Sequence, residues 1–231
     1  MFAYIPARGG SKRIPRKNIK ELGGIPIIAH VIQTLKKLDF IERIYVSTDD
    51  DEILEISEHY GAICLDKREG ELSDDYAGFI DLIKKDIPRF SKDSNSNDVL
   101  FVLATAALLP CEVYNEAYKK YVKESPQVLM SCETYDITPL WSMIKKDDGY
   151  WYPLHPDKVL VSSHDLPNAL VDAGLFYFFN LSSIRHFNSL KLVDRLLPFV
   201  VSDKYKGDID TPNDWDALES KHNMINSNNN E

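Results

Sequence analysis

Cysteine is scarce in this 231-residue chain: there are three, Cys64, Cys111 and Cys132, at irregular spacing. An odd count without ligand spacing fits neither a disulfide framework nor a zinc site, and predicts reduced thiols. No apolar run is long enough to cross a bilayer, and the first residues lack the apolar core of a signal peptide. The expectation is a soluble, cytoplasmic protein with no membrane partner. Basic residues are outnumbered 36 to 27, and the net charge of −9 argues against a nucleic-acid partner. Neither G-x-x-x-x-G-K-[ST] nor G-x-G-x-x-G occurs near the N-terminus, so the two common nucleotide fingerprints are missing. Acids are themselves missing from one place: residues 1–20 hold six Lys/Arg and no Asp or Glu.

That acid-free stretch contains Ile5-Pro-Ala-Arg-Gly-Gly-Ser-Lys-Arg-Ile-Pro-Arg-Lys-Asn18. Phe2 to Ile5 reads as a short buried strand, and Gly9-Gly10-Ser11 lets the backbone turn and aim N–H groups at an anion. A cation cluster set against the global charge needs a local reason, and a nucleoside triphosphate with its magnesium supplies one. Charge alone would equally suit a solvated face, but the glycines and their order favour a site.

The rest of the chain reads as one α/β domain spanning 1–231. Pro26–Leu38 is apolar at helical spacing, Ile44–Thr48 reads as a strand, and Asp49-Asp50-Asp51-Glu52 opens a helix reaching Tyr60, closed by Gly61. A short strand at Ala62–Leu65 completes a strand-helix-strand-helix-strand order, which means a parallel sheet covered on both faces. Ser73-Asp74-Asp75 reads as the cap of a helix over 76–90, followed by a polar loop. Val99–Leu103 is a central buried strand whose end delivers Ala104-Thr105-Ala106-Ala107 towards the Arg8–Lys17 loop. A helix at Cys111–Glu124 and a strand at Gln127–Cys132 follow. About 135–165 forms an excursion, with a hairpin around Lys145–Gly149, before a strand at Ala169–Phe179. Asp208-Ile209-Asp210 ends another strand, Thr211-Pro212-Asn213-Asp214 opens a last helix, and 223–231 reads as a disordered tail.

On an extended segment the period of two puts Asp208 and Asp210 on one side, where both can serve one cation. Magnesium prefers hard oxygen ligands and commonly takes one or two carboxylates plus substrate phosphates. Acidic pairs before helices are more often caps, a role open to Thr211 or Asp214.

The thirteen residues Pro6–Asn18 resemble the signature of the acylneuraminate cytidylyltransferases, which join a nine-carbon acidic sugar to CMP, and Gly207-Asp-Ile-Asp-Thr-Pro-Asn-Asp-Trp215 resembles that family's closing motif. The resemblance implies a three-layer Rossmann-like nucleotide-diphosphosugar transferase fold and a homodimer built through the excursion. It implies that CTP is attacked at its α-phosphate by the sugar's anomeric hydroxyl, with Mg²⁺ as cofactor. By the same resemblance Arg8, Gly9, Gly10, Ser11, Lys12, Arg13 and Lys17 surround the triphosphate, with Lys17 nearest the reacting phosphate. Arg16, and Arg13 as the alternative to a phosphate contact, are supporting or solvent-facing residues. Asn18 and Arg68 align with positions that read cytosine, although Arg68 alone would suit a surface cation. Asp208 and Asp210 take the metal, and either is a candidate to help deprotonate the attacking hydroxyl.

Val171-Asp172-Ala173-Gly174-Leu175-Phe176-Tyr177 resembles the Asp-Ala-Gly-x-x-Tyr segment of the pseudaminic acid cytidylyltransferases, and Ala104-Thr105-Ala106 and Leu72–Ala77 favour that branch. Thr105, Asp165, Asp172 and Tyr177 are then the sugar-side candidates. The chain departs from the pattern at Ser162, where relatives carry an arginine suited to a carboxylate, and at Val171 and Ala107. His164 and Lys158 are candidate replacement cations. Sialic or legionaminic acid or the eight-carbon Kdo are alternative sugars. A CTP-binding module without catalysis is the alternative of another class.

Overall fold

Strand β1 (Phe2–Pro6) is buried at every position but its last, on both faces, as a parallel strand covered by two layers must be. The computed structural model describes residues 1–68, 79–92, 94, 96–184, 186, 189–205 and 209–228. After β1 come the cationic loop, a 3₁₀ turn at Lys17–Ile19, and the small pair β2 (Glu21–Leu22) and β3 (Ile25–Pro26). Helix α1 (Ile27–Leu35), β4 (Arg43–Ser47), α2 (Asp51–His59) and β5 (Ile63–Cys64) then repeat the strand-helix alternation, and β1, β4 and β5 pair in parallel.

The predicted helix over 76–90 is instead a composite, and its start, with the cap at Ser73-Asp74-Asp75, lies outside the described residues. It consists of α3 (Phe79–Asp81), a π-helical turn (Leu82–Asp86) and α4 (Ile87–Ser91). Pro88 in the first turn of α4 has no N–H to give to the preceding turn, so the hydrogen-bond ladder must widen there.

Strand β6 (Asp98–Val102), α5 (Cys111–Glu124), β7 (Val128–Thr134), the hairpin strands β8 (Met143–Lys145) and β9 (Trp151–Pro153), β10 (Leu170–Asn180), α6 (Leu181–Ile184), β11 (Leu196–Val200) and α7 (Pro212–Asn228) complete the order. The main sheet runs β11-β7-β10-β6-β1-β4-β5, with β10 antiparallel to both its neighbours. This is a mostly parallel, Rossmann-like α/β fold. One face is covered by α1, α2 and α5 through Val31, Leu35, Ile53, Tyr114 and Ala117. The opposite face is covered by the 79–91 stretch and α6 through Leu82, Ile87, Phe90 and Ile184. Among the described residues the β8–β9 hairpin pairs only with itself.

Two sequence expectations change. The strand expected to end at Ile209 is β11, which stops at Val200; a 3₁₀ turn at Asp203–Tyr205 intervenes, and Ile209 and Asp210 belong to no strand. The tail read as disordered after Asn223 continues α7 to Asn228.

Candidate active site

The N-terminal loop leaves the carboxyl end of β1, where Ala7 N–H still donates to Ser47 O at 2.9 Å. Gly9 owes its identity to crowding: a Cβ there would stand 2.6 Å from Asp50 Oδ2, whereas one on Gly10 would meet open space. Gly9 N–H, expected to face an anion, donates to Asp49 Oδ1 at 2.9 Å. The loop's left-handed residue is Arg16, at φ 58°. Its guanidinium is held by Asp50 and Glu52, and Asp50 also caps α2 by accepting from Ile53 N–H at 3.1 Å. The Arg16 hydrogen bonds hold the Asp50 carboxyl below its ordinary pKa. Asn18, buried, donates from Nδ2 to Arg8 O at 2.9 Å, closing the loop across its base. Arg8 is half-buried, Ser11 half-buried and Lys12 exposed.

The segment after β11 meets this loop directly. Arg13 Nη2 lies 2.7 Å from Asp210 Oδ1, and Lys17 Nζ donates to Ile209 O at 2.6 Å. Apolar packing holds the two together: Ile14 from the loop, Leu108 from the stretch after β6, Ile209, and Trp215 and Leu218 from α7 form one buried cluster. Lys20 Nζ sits over the Trp215 ring at 4.1 Å. The cap role belongs to Thr211 and Asp214, since Asp214 Oδ2 accepts from Thr211 N–H at 2.6 Å and Thr211 Oγ1 at 2.8 Å. Asp210 is thereby left with its carboxylate on Arg13, 40% exposed. Asp208 lies outside the described residues, so the pairing of the two aspartates has no geometry here.

Arg68 is only 5% exposed, which corrects its reading as a surface cation. Its N–H donates to Thr48 O at 2.8 Å, placing it beyond the carboxyl end of β4. Thr105 is buried at the same edge of the sheet, after β6.

Of the residues expected to face a sugar, Asp172 and Tyr177 form one cluster around a bulge in β10. Asp172 is opposite Cys132 and Tyr177 opposite Met130, so four residues of β10 face Ser131 alone. Ser131 Oγ fills the gap by accepting from Leu175 N–H and Phe176 N–H at 3.3 and 3.0 Å. Asp172 locks the bulge: Oδ1 accepts from Gly174 N–H, Tyr177 Oη lies 2.8 Å from both carboxylate oxygens, and Lys191 Nζ lies 2.9 Å from Oδ2. Gly174, at φ 61°, supplies the left-handed turn that this requires. Asp165 is not part of the cluster; it lies in an exposed 3₁₀ turn, and among the described residues no hydrogen bond or ion pair joins it to Asp172 or Tyr177. Its neighbours Ser163 and Leu166 line a cavity of about 570 Å³ at the foot of the excursion. Of the candidate replacement cations, Lys158 pairs with Asp157 at 3.1 Å and His164 is exposed.

Residues 2–171 match the family model described as cytidylyltransferase. The chain belongs to the cytidylyltransferase family. A pseudaminic acid cytidylyltransferase of Campylobacter jejuni subsp. jejuni serotype O:2 is 33% identical over 178 residues, 77% of each chain. A CMP-N,N'-diacetyllegionaminic acid synthase of Legionella pneumophila is 31% identical over 142 residues, 61% of each. N-acylneuraminate cytidylyltransferase A of Danio rerio is 27% identical over 231 residues, 95% of this chain and 50% of its own length. Among solved structures, a CMP:2-keto-3-deoxy-manno-octonic acid synthetase complexed with CTP superposes with a TM-score of 0.68 at 14% identity, over 97% of this chain and 98% of that one, a likeness of fold.

For a cytidylyltransferase the site has supports that the sequence reading missed. Asp49, Asp50 and Glu52 read as dipole-complementing acids, yet they also hold Gly9 and Arg16. Lys191 gave no signal as the partner of Asp172. The three cysteines are free thiols, as expected. Burial pushes Cys64 up to about 12 and Cys132 up to about 11, which keeps both protonated.

Proposed function

We propose that this cytidylyltransferase activates a nonulosonic acid, pseudaminic acid foremost, with CTP to give the CMP-sugar and pyrophosphate. The observation that carries the reading is the meeting of two distant motifs through Arg13–Asp210 and Lys17–Ile209, over 190 residues apart in the chain. The pseudaminic acid relative and the Asp172–Tyr177 segment support the choice of sugar.

In this reading Arg8, Ser11, Lys12, Lys17 and the backbone at Gly10 hold the triphosphate, Gly9, whose N–H is given to Asp49, shapes the loop beside them, and Asn18 and Arg68 read cytosine. The sugar's anomeric oxygen forms its bond to the α-phosphorus as the bond to the β-phosphate oxygen breaks, and pyrophosphate leaves. The hydroxyl proton passes to a carboxylate of the pair Asp208 and Asp210. Charge gathering on pyrophosphate is met by cations already in place, so little reorganisation accompanies the step. Thr105 and Asp165 contact the sugar, while Asp172 and Tyr177 shape the floor beneath it.

Magnesium is the metal proposed for Asp208 and Asp210. Among the described residues no group of three His, Cys, Asp or Glu would hold an ion. The exposed Asp210 carboxylate nevertheless fits one that draws most of its ligands from phosphate and water. When bound, the ion neutralises charge on the phosphates.

A homodimer is part of the proposal. The excursion carries Ile137, Tyr150, Trp151 and Leu160 as exposed apolar side chains, and apolar surface concentrated on an arm marks a protein–protein interface. The proposed location is the cytoplasm; among the described residues no helix is long and apolar enough to cross a membrane.

Pyrophosphate release from CTP with pseudaminic, legionaminic and sialic acids and Kdo tests the reading. The expected kcat/KM is highest for pseudaminic acid. A higher value for another sugar reassigns the substrate. No release from folded protein with any sugar, with CTP still raising Tm, leaves a binding module.

A further inference from the structure

On the face of the sheet opposite α1 and α5, the π-helical turn ends in a carboxylate that no part of the reaction uses. Asp86 is completely buried. Its Oδ2 accepts from Tyr4 Oη and Ser47 Oγ, each at 2.5 Å, and its Oδ1 accepts from Arg89 Nη1 at 2.9 Å. One buried charge therefore ties β1, β4 and α4 together. Replacing such a group with apolar side chains is often neutral or stabilising, so holding the fold is a weak reason for its presence.

The contacts continue towards the nucleotide side. Arg89 Nη2 donates to Asp66 O at 3.2 Å, and Arg68 N–H donates to Thr48 O, the residue after Ser47. These two anchors bracket Asp66-Lys67-Arg68, and Arg68 is buried. The second anchor is backbone to backbone and Lys67 Nζ adds an exposed ion pair to Asp51 Oδ2 at 2.7 Å, whereas the first depends on the Arg89 side chain, which Asp86 aims.

We propose that Asp86 and Arg89 are positioning residues that fix the Asp66–Arg68 segment and thereby set this enzyme's preference for cytosine over uracil. The inference rests on the reading of Arg68 as a cytosine contact. Cytosine presents an acceptor at ring position 3 and an amino group at position 4, where uracil presents N–H and a carbonyl. A guanidinium has donors only, so it favours cytosine when it is held against that edge. If it is free to swing to the 4-carbonyl, it serves uracil as well, and discrimination by an unpaired donor is lost.

The test is CTP and UTP dissociation constants by calorimetry on the full chain, with Tm measured in parallel, for wild type and for Arg89→Ala, Arg89→Lys, Asp86→Asn and Arg68→Ala. Arg89 is part-exposed, so its variants remain informative if Asp86→Asn does not fold. The expected result for Arg89→Ala is about a tenfold fall in the CTP:UTP affinity ratio, with CTP bound more weakly and UTP no more weakly than by wild type, the scale of one charge-assisted hydrogen bond. Arg89→Lys, able to keep one of the two contacts, falls between. A lowered Tm with an unchanged CTP:UTP ratio in both Arg89 variants overturns the inference. If Arg68→Ala lowers the ratio and the Arg89 variants do not, this inference alone fails. If Arg68→Ala leaves the ratio intact, the reading of Arg68 fails and the inference with it.

Discussion

Arg16 sits in a backbone conformation that costs an L-residue about 1–2 kcal/mol, and the two carboxylates on its guanidinium are what keep it there. Asp50 does more than pair: it caps α2 and presses against Gly9, so one side chain fixes both arms of the loop. Because Arg16 depresses the Asp50 pKa, the stabilisation is complete above the ordinary carboxylate value and is lost as pH falls through the depressed one. The Tm difference between wild type and Asp50→Asn should hold steady from neutral pH to about 5 and shrink below about 4. A difference that persists undiminished to about pH 2 would contradict this assignment. Gly9→Ala should also destabilise, by about 1–3 kcal/mol, since its methyl group collides with Asp50. Urea unfolding measures that cost, and an unchanged midpoint would show that the loop yields easily.

Among the elements, α7 does the joining. Trp215 is 1% exposed and packs with Ile14 and Ile209, so the helix clamps the cationic loop to the aspartate segment from beneath. Trp215→Ala should cost about 3–5 kcal/mol in urea unfolding and weaken CTP binding along with it. Stability lost with CTP affinity unchanged would mean that the clamp does not serve the site.

How far the sequence reveals such elements depends on the range of the forces involved. Helix α5 was legible to the residue, because its apolar spacing and the proline before it are local. The β10 bulge was not, since it depends on Ser131, more than forty residues upstream, filling a gap in the ladder. The Asp-Ala-Gly segment resembled a sugar contact, whereas in the fold Asp172 first serves Gly174, Tyr177 and Lys191. Asp86 was invisible for a similar reason: its partners come from β1, β4 and α4, and only the folded sheet brings them together. The strand expected to end at Asp208-Ile209-Asp210 stops at Val200, and Ile209 and Asp210 lie outside it, because the alternation of an acidic D-x-D segment looks the same in sequence whether or not a neighbouring strand pairs with it.

For the molecule as a whole, the seven-stranded sheet delivers the cationic loop, Arg68, Thr105 and the aspartate segment to one end, while the β8–β9 hairpin of the excursion forms a separate two-stranded sheet. An arm with Trp151 62% exposed and Leu160 98% exposed is poorly suited to a lone chain. Light scattering should give twice the monomer mass, and Trp151→Asp with Leu160→Asp should return the monomer; a wild-type monomer at micromolar concentration would exclude the dimer. The cationic loop and the aspartate segment must serve one triphosphate if the chain is to make a CMP-sugar. Mass spectrometry of products from CTP, Mg²⁺ and pseudaminic acid tests this in wild type, Lys17→Ala and Asp210→Asn. Wild type should form the CMP-sugar, and each variant should lose about a hundredfold in rate while staying folded. No CMP-sugar from folded wild type with any nonulosonic acid, or full rates in both variants, would contradict it.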